Sequence, residues 1–447
     1  MEYACRIQHL KGSAIRQMLK MTTDREIISF GGGLPDARLF PTQTLAVLAE
    51  RVVREHGQTA LQYAPTEGLL PLREKVAASL RAKGIEVGAD HVLITQGSQQ
   101  GIDLLSKLFL DPGTRLLTED PSYLGALQAF RFFEADLLSV PVNGEGMVLT
   151  DLVEVLKKGP RLVYLMPNFQ NPTGIQYSLE SRKAVAEVLF EQGVVLAEDD
   201  PYGELIYDGL PQPSLWSFYP GPCKVHLGTF SKTIVPGLRV AYLVSDPELI
   251  QRLSLIKQSS DLHTNSLGQW IVNAFLEEGL LPDHIERVQQ CYRRKRDIMA
   301  AAIRAHFPPF AHYETPRGGM FFWVRIPASL EAMQLLEACL NKGVAFVLGN
   351  DFFIQQPRYH HYLRLNFTSA AEDKIEKGIA VIGEEMGRLA PHPEETPPST
   401  KPLLLPAGGS FLRASKPLGP GGSRCLFKGN SLAPRKKKSL YKSSGIW

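Results

Sequence analysis

Between residues 43 and 280 the sequence alternates short, β-prone apolar runs with longer amphipathic segments of helical period. This alternation favours a mostly parallel sheet covered by helices on both faces, because parallel strands need a crossover connection. Ligands of such sheets bind outside the carboxyl ends of the strands, so we expect functional residues directly after the apolar runs. The predicted strands are 91–95, 114–119, 161–166, 193–199, 224–228 and 239–244, and the predicted helices include 98–110, 149–158 and 178–192. Thr150 and Asp151 are suggested caps at the start of the helix at 149–158.

After Pro282 the pattern changes to a long helix-prone segment, 283–307, followed by strand-like runs at 318–326 and 361–368 and a helix near 328–342. This order is typical of a smaller α+β domain. We predict an N-terminal segment at 1–42, a large domain at 43–282, a small C-terminal domain at 283–390 and a tail at 391–447.

The predicted tail differs from the body in composition. It carries ten Lys and Arg against two Asp and Glu, whereas residues 1–390 are mildly acidic. Its many Pro, Gly and Ser residues and its lack of a sustained period predict disorder. The basic run "PRKKK" (434–438) could contact nucleic acid or an anionic surface, or it could be a solvated appendage.

The chain has 447 residues, of which 44% are hydrophobic and 21% charged, as in ordinary soluble proteins of more than one domain. No apolar run approaches the roughly 20 residues of a membrane helix, and the N-terminus has no apolar signal core. We therefore expect a cytoplasmic protein without a membrane partner. The five cysteines are widely spaced, which indicates neither a disulfide framework nor a zinc site, and no metal is predicted.

Lys232 follows an apolar run in "LGTFSKTIVPGLRVAYLV" (227–244). A lysine in a loop is most often a solvated cation. Here hydroxyls at Thr229 and Ser231 precede it and Arg239 follows it. An amine that is desolvated or close to another cation can lose its proton and attack a carbonyl, so this lysine is a candidate nucleophile.

Other polar residues also follow predicted strands. "QGSQQG" (96–101) opens a helix and could hold a phosphate on its backbone N–H groups, although Gly and Ser also cap helices for structural reasons. Asp199 ends a buried run ahead of Tyr202, where it could act in a site or merely cap a turn. Asn171, in "PNFQNPTG" (167–174), could likewise be only a turn residue.

Taken together, these segments resemble the fold-type I aminotransferases that depend on pyridoxal 5'-phosphate. The motifs "ISFGGGLPDARLFP", "LQYAPTEGLLPLR", "NPTG", "EDDPYGEL" and "TFSKTIVPGLR" are most similar to the branch of α-aminoadipate, kynurenine and related aromatic or branched-chain aminotransferases. The resemblance spans roughly residues 10–388 and excludes the tail. It implies an α/β fold with a large, mostly parallel domain and a smaller α+β domain.

The resemblance implies three catalytic residues. Lys232 matches the lysine that links to the cofactor aldehyde and later moves the substrate proton. Asp199 matches the carboxylate paired with the pyridine nitrogen, which preserves the ring as an electron sink. Tyr202, together with Asn171, matches the groups bonded to the ring 3-oxygen.

The resemblance also implies the remaining ligands. Tyr123 matches the aromatic residue stacked on the ring, and Tyr63 matches a tyrosine that reaches the phosphate of the neighbouring subunit, so a homodimer with shared active sites is expected. The phosphate ligands would be Ser98, Gln99, Thr229, Ser231 and Arg239. The substrate would be bound by Arg364, Asn171, Arg16, Ser13, Gly33 and Tyr63.

The expected reaction moves an amino group from an L-amino acid (2-aminoadipate, glutamate, aromatic or branched-chain) to a 2-oxo acid such as 2-oxoglutarate. Two alternatives stay open. One is β-lyase or decarboxylase chemistry with the same cofactor. The other is a transcription regulator that borrows the fold, but "ISFGGGLP" begins at residue 28 and leaves no room for a winged-helix domain ahead of it. We expect no nucleic-acid partner.

Overall fold

The computed structural model describes residues 3, 4, 6, 7, 27–354 and 361–390. Their dominant feature is a mixed, mostly parallel sheet with the strand order β2-β9-β8-β7-β6-β3-β4-β5. The strands are β2 (Val92–Thr95), β3 (Arg115–Asp120), β4 (Asp136–Asn143), β5 (Gly146–Met147), β6 (Leu162–Leu165), β7 (Val195–Asp200), β8 (Lys224–Thr229) and β9 (Ala241–Val244).

Strands β3, β4, β6, β7 and β8 are mutually parallel, whereas β9 runs antiparallel to both β8 and β2. The sheet is buried on both faces. Leu162 and Tyr164 of β6 belong to one apolar cluster, and the alternating residues Val163 and Leu165 belong to another. This explains why the strands read as continuous apolar runs and not as alternating ones.

The described helices precede, connect and follow these strands. They are α1 (Thr42–Ala60), α2 (Leu70–Arg81), α3 (Ser98–Phe109), α4 (Leu124–Phe132), α5 (Leu149–Leu156), α6 (Leu179–Glu191), α7 (Pro247–Asp261), α8 (Ser266–Glu277), α9 (Leu281–His306), α10 (Ala332–Asn341) and α11 (Glu372–Leu389). None of these described helices has the length and apolarity that a membrane crossing requires.

A second, antiparallel sheet lies in the C-terminal part, with the order β10-β11-β14-β13. A separate short pair joins β1 to β12 in parallel, with residues 28–29 opposite residues 344–345. The Ile28 and Phe30 amides donate to the carbonyl oxygens of Gly343 and Ala345. The strands are β1 (Ile28–Ser29), β10 (His312–Tyr313), β11 (Phe321–Arg325), β12 (Val344–Ala345), β13 (Val347–Leu348) and β14 (Tyr362–Asn366).

The six strands predicted in the large sheet are confirmed, with boundaries shifted by at most two residues. Strand β4 was not predicted, because Pro141 and polar residues interrupt its apolar pattern. The suggested caps Thr150 and Asp151 are wrong. Helix α5 begins at Leu149, with Val148 preceding it and no side-chain cap. Helix α9 begins at Leu281, because a proline such as Pro282 is tolerated in the first turn of a helix.

The segment after β1 is held by a buried ion pair. Lys295 Nζ of α9 lies 2.7 Å from Asp36 Oδ2, and Tyr292 Oη accepts a hydrogen bond of 2.9 Å from the Asp36 amide. Burial raises the pKa of Asp36, but hydrogen bonds from Arg38 and Lys295 outweigh this and lower it to about 2. Asp36 is therefore ionised at neutral pH and anchors residues 31–36 to α9.

Candidate active site

Lys232 lies in the turn after β8, as the sequence predicts. Its Nζ donates a 2.9 Å hydrogen bond to the carbonyl oxygen of Gly33. Burial lowers the pKa of this amine to about 8, and the cations Arg239 and Arg364 contribute to the shift. More of this side chain than of an ordinary lysine is therefore the free amine near neutral pH, the form that attacks carbonyl groups.

Asp199 is close to the end of β7, with 2% of its surface exposed. Tyr164 Oη of β6 donates a 2.6 Å hydrogen bond to its Oδ2. Burial raises the pKa of Asp199 to about 7, although the Tyr164 hydroxyl opposes the shift. Its second oxygen, Oδ1, is buried and has no hydrogen-bond partner in the described part of the chain. A buried, unpartnered carboxylate oxygen is suited to a donor from a bound group.

Arg364 of β14, in the second sheet, contacts residues of the same site. Its Nη1 donates to Asn171 Oδ1 at 2.8 Å, and its Nη2 donates to the Gly31 carbonyl oxygen at 2.8 Å. The guanidinium carbon lies 4.3 Å from the centroid of the Phe321 ring. Burial lowers the pKa of Arg364 to about 10, so it is still a cation at neutral pH. Its Nε has no hydrogen-bond partner among the residues described.

Tyr202 packs against this arginine site. Its ring meets the Phe321 ring edge to face, with centroids 5.9 Å apart. Burial raises the pKa of Tyr202, so its hydroxyl is protonated at neutral pH. Asn171, Tyr202 and Arg364 are therefore brought together, as expected.

The turn between β2 and α3 forms a small cradle. Gly97 has φ of +79°, and a Cβ there would overlap the guanidinium of Arg239. Ser98 Oγ is buried without a hydrogen-bond partner in the described residues. Thr229 Oγ1 donates to Ser231 Oγ at 3.0 Å, and Arg239 Nη1 lies 3.5 Å from the same Ser231 oxygen. Hydroxyls, a guanidinium and a helix N-terminus together suit a phosphate.

Gln99 and Tyr123 are linked at one side of the cradle. Tyr123 Oη donates to Gln99 Oε1 at 3.5 Å, and Gln99 Nε2 donates to the Gly125 carbonyl oxygen at 2.9 Å. Burial raises the pKa of the Tyr123 hydroxyl. Tyr123 precedes α4 and is half-buried, which leaves part of its surface free for a ligand.

Tyr63 makes no described contact with this cluster. Its side chain is 78% exposed and its ring meets His263 edge to face, with centroids 5.8 Å apart. The expectation that it acts in another subunit stays a prediction. Ser13 and Arg16 lie outside the described residues.

Sequence reasoning missed Tyr164. Among the described residues, it is the only hydrogen-bond donor to an oxygen of Asp199. The available signal was its hydroxyl within the buried run "RLVYLM". It also missed Phe321 and the Gly31 carbonyl around Arg364, because these contacts join residues distant in sequence.

The donors and acceptors of the cluster fit pyridoxal phosphate. The cradle suits its phosphate, Asp199 Oδ1 suits a protonated ring nitrogen, and Lys232 suits its aldehyde. The model of the aminotransferase class I and II family matches residues 26–382. The chain belongs to this family. It is an aminotransferase that depends on pyridoxal 5'-phosphate, as predicted.

Two curated relatives support the same assignment. A 2-aminoadipate transaminase of Thermus thermophilus is 43% identical over 386 residues, which are 85% of this chain and 95% of the relative. Aromatic-amino-acid aminotransferase 1 of Thermococcus litoralis is 36% identical over 382 residues, which are 84% of this chain and 91% of the relative.

A solved structure confirms the fold. The α-aminoadipate aminotransferase of T. thermophilus, complexed with N-(5'-phosphopyridoxyl)-L-leucine, superposes with a TM-score of 0.81 at 41% identity and covers 87% of this aminotransferase and 97% of its own chain. The predicted α/β fold of type I pyridoxal-phosphate transferases is therefore confirmed.

The pKa of Asp199 generates a stability prediction for the cofactor-free aminotransferase. Because the folded-state value is raised from 3.8 to about 7, ionisation of Asp199 destabilises the fold as the pH rises through this interval, and the penalty is complete above about 7. The Asp199→Asn variant does not ionise there. We expect its melting temperature, relative to the wild type, to rise between about pH 4 and pH 7 and then to level off.

Thermal melts at intervals of half a pH unit test this, with Asp136→Asn as a control because Asp136 is exposed. The control should show no such rise. A difference between Asp199→Asn and wild type that stays constant or falls over this range would contradict the buried-carboxylate interpretation.

Proposed function

We propose that this aminotransferase takes the amino group from an L-amino acid of acidic, aromatic or branched-chain type and passes it to a 2-oxo acid such as 2-oxoglutarate. The candidate donors include 2-aminoadipate and glutamate. The reaction would proceed in two half-reactions, with the enzyme carrying the amino group between them, which predicts ping-pong kinetics. The names of the similar aminoadipate and aromatic-amino-acid enzymes support this choice of donors.

One observation carries the proposal. Lys232 Nζ and Arg364 Nη2 donate to the carbonyl oxygens of Gly33 and Gly31, two residues apart on one segment. Two residues of extended chain span at most about 7 Å, so the amine and the guanidinium are held close together. An α-amino acid carries its amino and carboxylate groups on a single carbon, and this spacing suits both groups of one such molecule.

Each residue has a proposed role with a physical reason. Arg364 binds the substrate carboxylate through parallel hydrogen bonds, which a planar guanidinium provides and lysine does not. Lys232 accepts the Cα proton, and its lowered pKa suits that task. Asn171 and Tyr202 would bind the ring 3-oxygen, Tyr123 would cover the ring, and Gly33 would border the substrate.

The cofactor supplies the aldehyde that receives the amino group and an electron-withdrawing ring that makes Cα–H acidic. Asp199 Oδ1 would accept a hydrogen bond from the ring nitrogen and so favour its protonated form. The proposed phosphate ligands are Ser98, Gln99, Thr229, Ser231 and Arg239, with Tyr63 of a second subunit.

A homodimer is the proposed assembly. Tyr63 is 78% exposed and contacts His263, and the neighbouring side chains Leu61 and Leu262 are 64% and 41% exposed. Exposed apolar side chains around a site residue favour burial against a second copy. The domain boundaries at 42, 282 and 390, the cytoplasmic location and the absence of a nucleic-acid partner stay predictions.

Lys232→Ala tests the central role. This variant lacks both the reactive amine and the proton acceptor, so we expect it to fold and to lose turnover by several orders of magnitude. Activity is measured as keto-acid formation with and without 2-oxoglutarate. Lys183 of α6 lies with its Nζ 5.8 Å from the centroid of the Phe218 ring, and Lys183→Ala should keep normal turnover.

More than trace transamination by Lys232→Ala would refute the assignment of the nucleophile. Keto-acid production by the wild type that does not depend on 2-oxoglutarate would indicate lyase chemistry instead.

A panel of donors with 2-oxoglutarate as acceptor tests the substrate class. The family resemblance matches Arg16 to a residue that meets the substrate side chain, and we propose that it offers a cation to the distal carboxylate of glutamate or 2-aminoadipate. A hydrogen bond to a charged group contributes about 1.5–3 kcal/mol. Arg16→Ala should therefore lower kcat/KM for acidic donors roughly tenfold to a hundredfold and leave apolar donors nearly unchanged. Equal losses for both classes, or none, would remove Arg16 from the specificity determinants.

The shared site is tested by mixing Tyr63→Phe and Lys232→Ala subunits. If Tyr63 serves the neighbouring active site, each mixed dimer has one site with both substitutions and one with neither. A fraction with wild-type-like kcat/KM should then appear on mixing. Subunits that exchange, as shown with a tagged chain, without producing this fraction would exclude the cross-subunit role.

A further inference from the structure

Tyr164 and Asp199 form a short hydrogen bond between two buried side chains. The distance from Tyr164 Oη to Asp199 Oδ2 is 2.6 Å, and the two residues are 1% and 2% exposed. An O–H···O contact of this length is typical of a hydroxyl that donates to an ionised oxygen.

The register of the sheet produces this contact. Tyr164 of β6 lies opposite Ala197 of β7, and Asp199 is two residues further along β7 on the same face. A diagonal neighbour of this kind is within reach of an aromatic side chain. Phe130 of α4 meets the Tyr164 ring edge to face, with centroids 5.4 Å apart. The backbone pairing and a packed ring therefore both fix the position of the hydroxyl.

The two carboxylate oxygens of Asp199 differ in their hydrogen bonding. Oδ2 accepts from Tyr164, whereas Oδ1 has no partner within the described ranges. We propose that Tyr164 is a positioning residue that fixes the Asp199 carboxylate in its ionised form, with Oδ1 directed at the cofactor ring nitrogen. This inference rests on the proposed role of Asp199.

The hydroxyl is suited to the task because it stays a donor. Burial and the nearby Asp199 raise the pKa of Tyr164 far above its ordinary value. Conversely, its hydrogen bond opposes the burial that raises the pKa of Asp199. Without the hydroxyl, Oδ2 would be a buried acceptor with no partner, which disfavours the carboxylate.

The variant Tyr164→Phe keeps the ring and removes only the hydroxyl. Its effect is measured as the dissociation constant of pyridoxamine 5'-phosphate from the cofactor-free enzyme, followed by protein fluorescence. This probe has the ring nitrogen and the phosphate but no aldehyde to react with Lys232. We expect roughly tenfold to hundredfold weaker binding, the contribution of one hydrogen bond to a charged group. The affinity for inorganic phosphate, which needs only the cradle, should be unchanged.

Tyr177→Phe is the matched control. Tyr177 is also buried, and its Oη donates to the buried carboxyl group of Glu119 at 2.8 Å. The exchange therefore removes a buried hydrogen bond from a tyrosine to a carboxyl group other than that of Asp199. It should lower the melting temperature about as much as Tyr164→Phe and leave the affinity for pyridoxamine phosphate unchanged.

A double-mutant cycle shows whether Tyr164 acts through Asp199. In the Asp199→Ala background, Tyr164→Phe should have no further effect on pyridoxamine phosphate binding. The positioning role would be overturned by an equal loss of affinity in both backgrounds or by wild-type affinity in Tyr164→Phe. It would also be overturned if the affinity for inorganic phosphate fell in parallel. Wild-type affinity in Asp199→Ala itself would instead refute the proposed role of Asp199.

Discussion

The parallel alignment of β6, β7 and β8 is the constraint on which the site depends. Because these strands run in the same direction and pair directly, the segments that follow them emerge at one edge of the sheet. Asn171, Asp199 and Lys232 follow or end these strands, although up to 61 positions separate them in the sequence. No local interaction would bring an amide, a carboxylate and an amine together in this way.

Burial shifts the pKa values of these groups in opposite directions. Desolvation disfavours the charged form of any side chain, so it raises the pKa of Asp199 to about 7 and lowers that of Lys232 to about 8. Both groups therefore exchange protons near neutral pH. Arg364, equally buried, keeps its charge because guanidinium begins from a much higher pKa. The same low-polarity environment thus produces two proton-transfer groups and one fixed cation.

Much of this arrangement could be predicted from the sequence. The strands and the residues after them were found from apolar runs, because a sheet buried on both faces leaves that pattern. Tyr164 could not be assigned, since its contact with Asp199 depends on the register between two strands. The Arg364 contact with Asn171 joins residues 193 positions apart and depends on how the second sheet packs. The role of Tyr63 depends on a second chain, which one sequence does not define.

The segment 28–36 connects these elements into one unit. It pairs with β12 through Ile28 and Ser29, and the Asn366 amide of the second sheet donates to the Phe30 carbonyl at 2.8 Å. Its far end is anchored by the Asp36–Lys295 pair. Between these fixed points, the Gly31 and Gly33 carbonyls accept from Arg364 and Lys232. The separation between the amine and the guanidinium is therefore set by a backbone tied at both ends, and a shift of this segment would move the binding geometry for both groups of an amino acid at once.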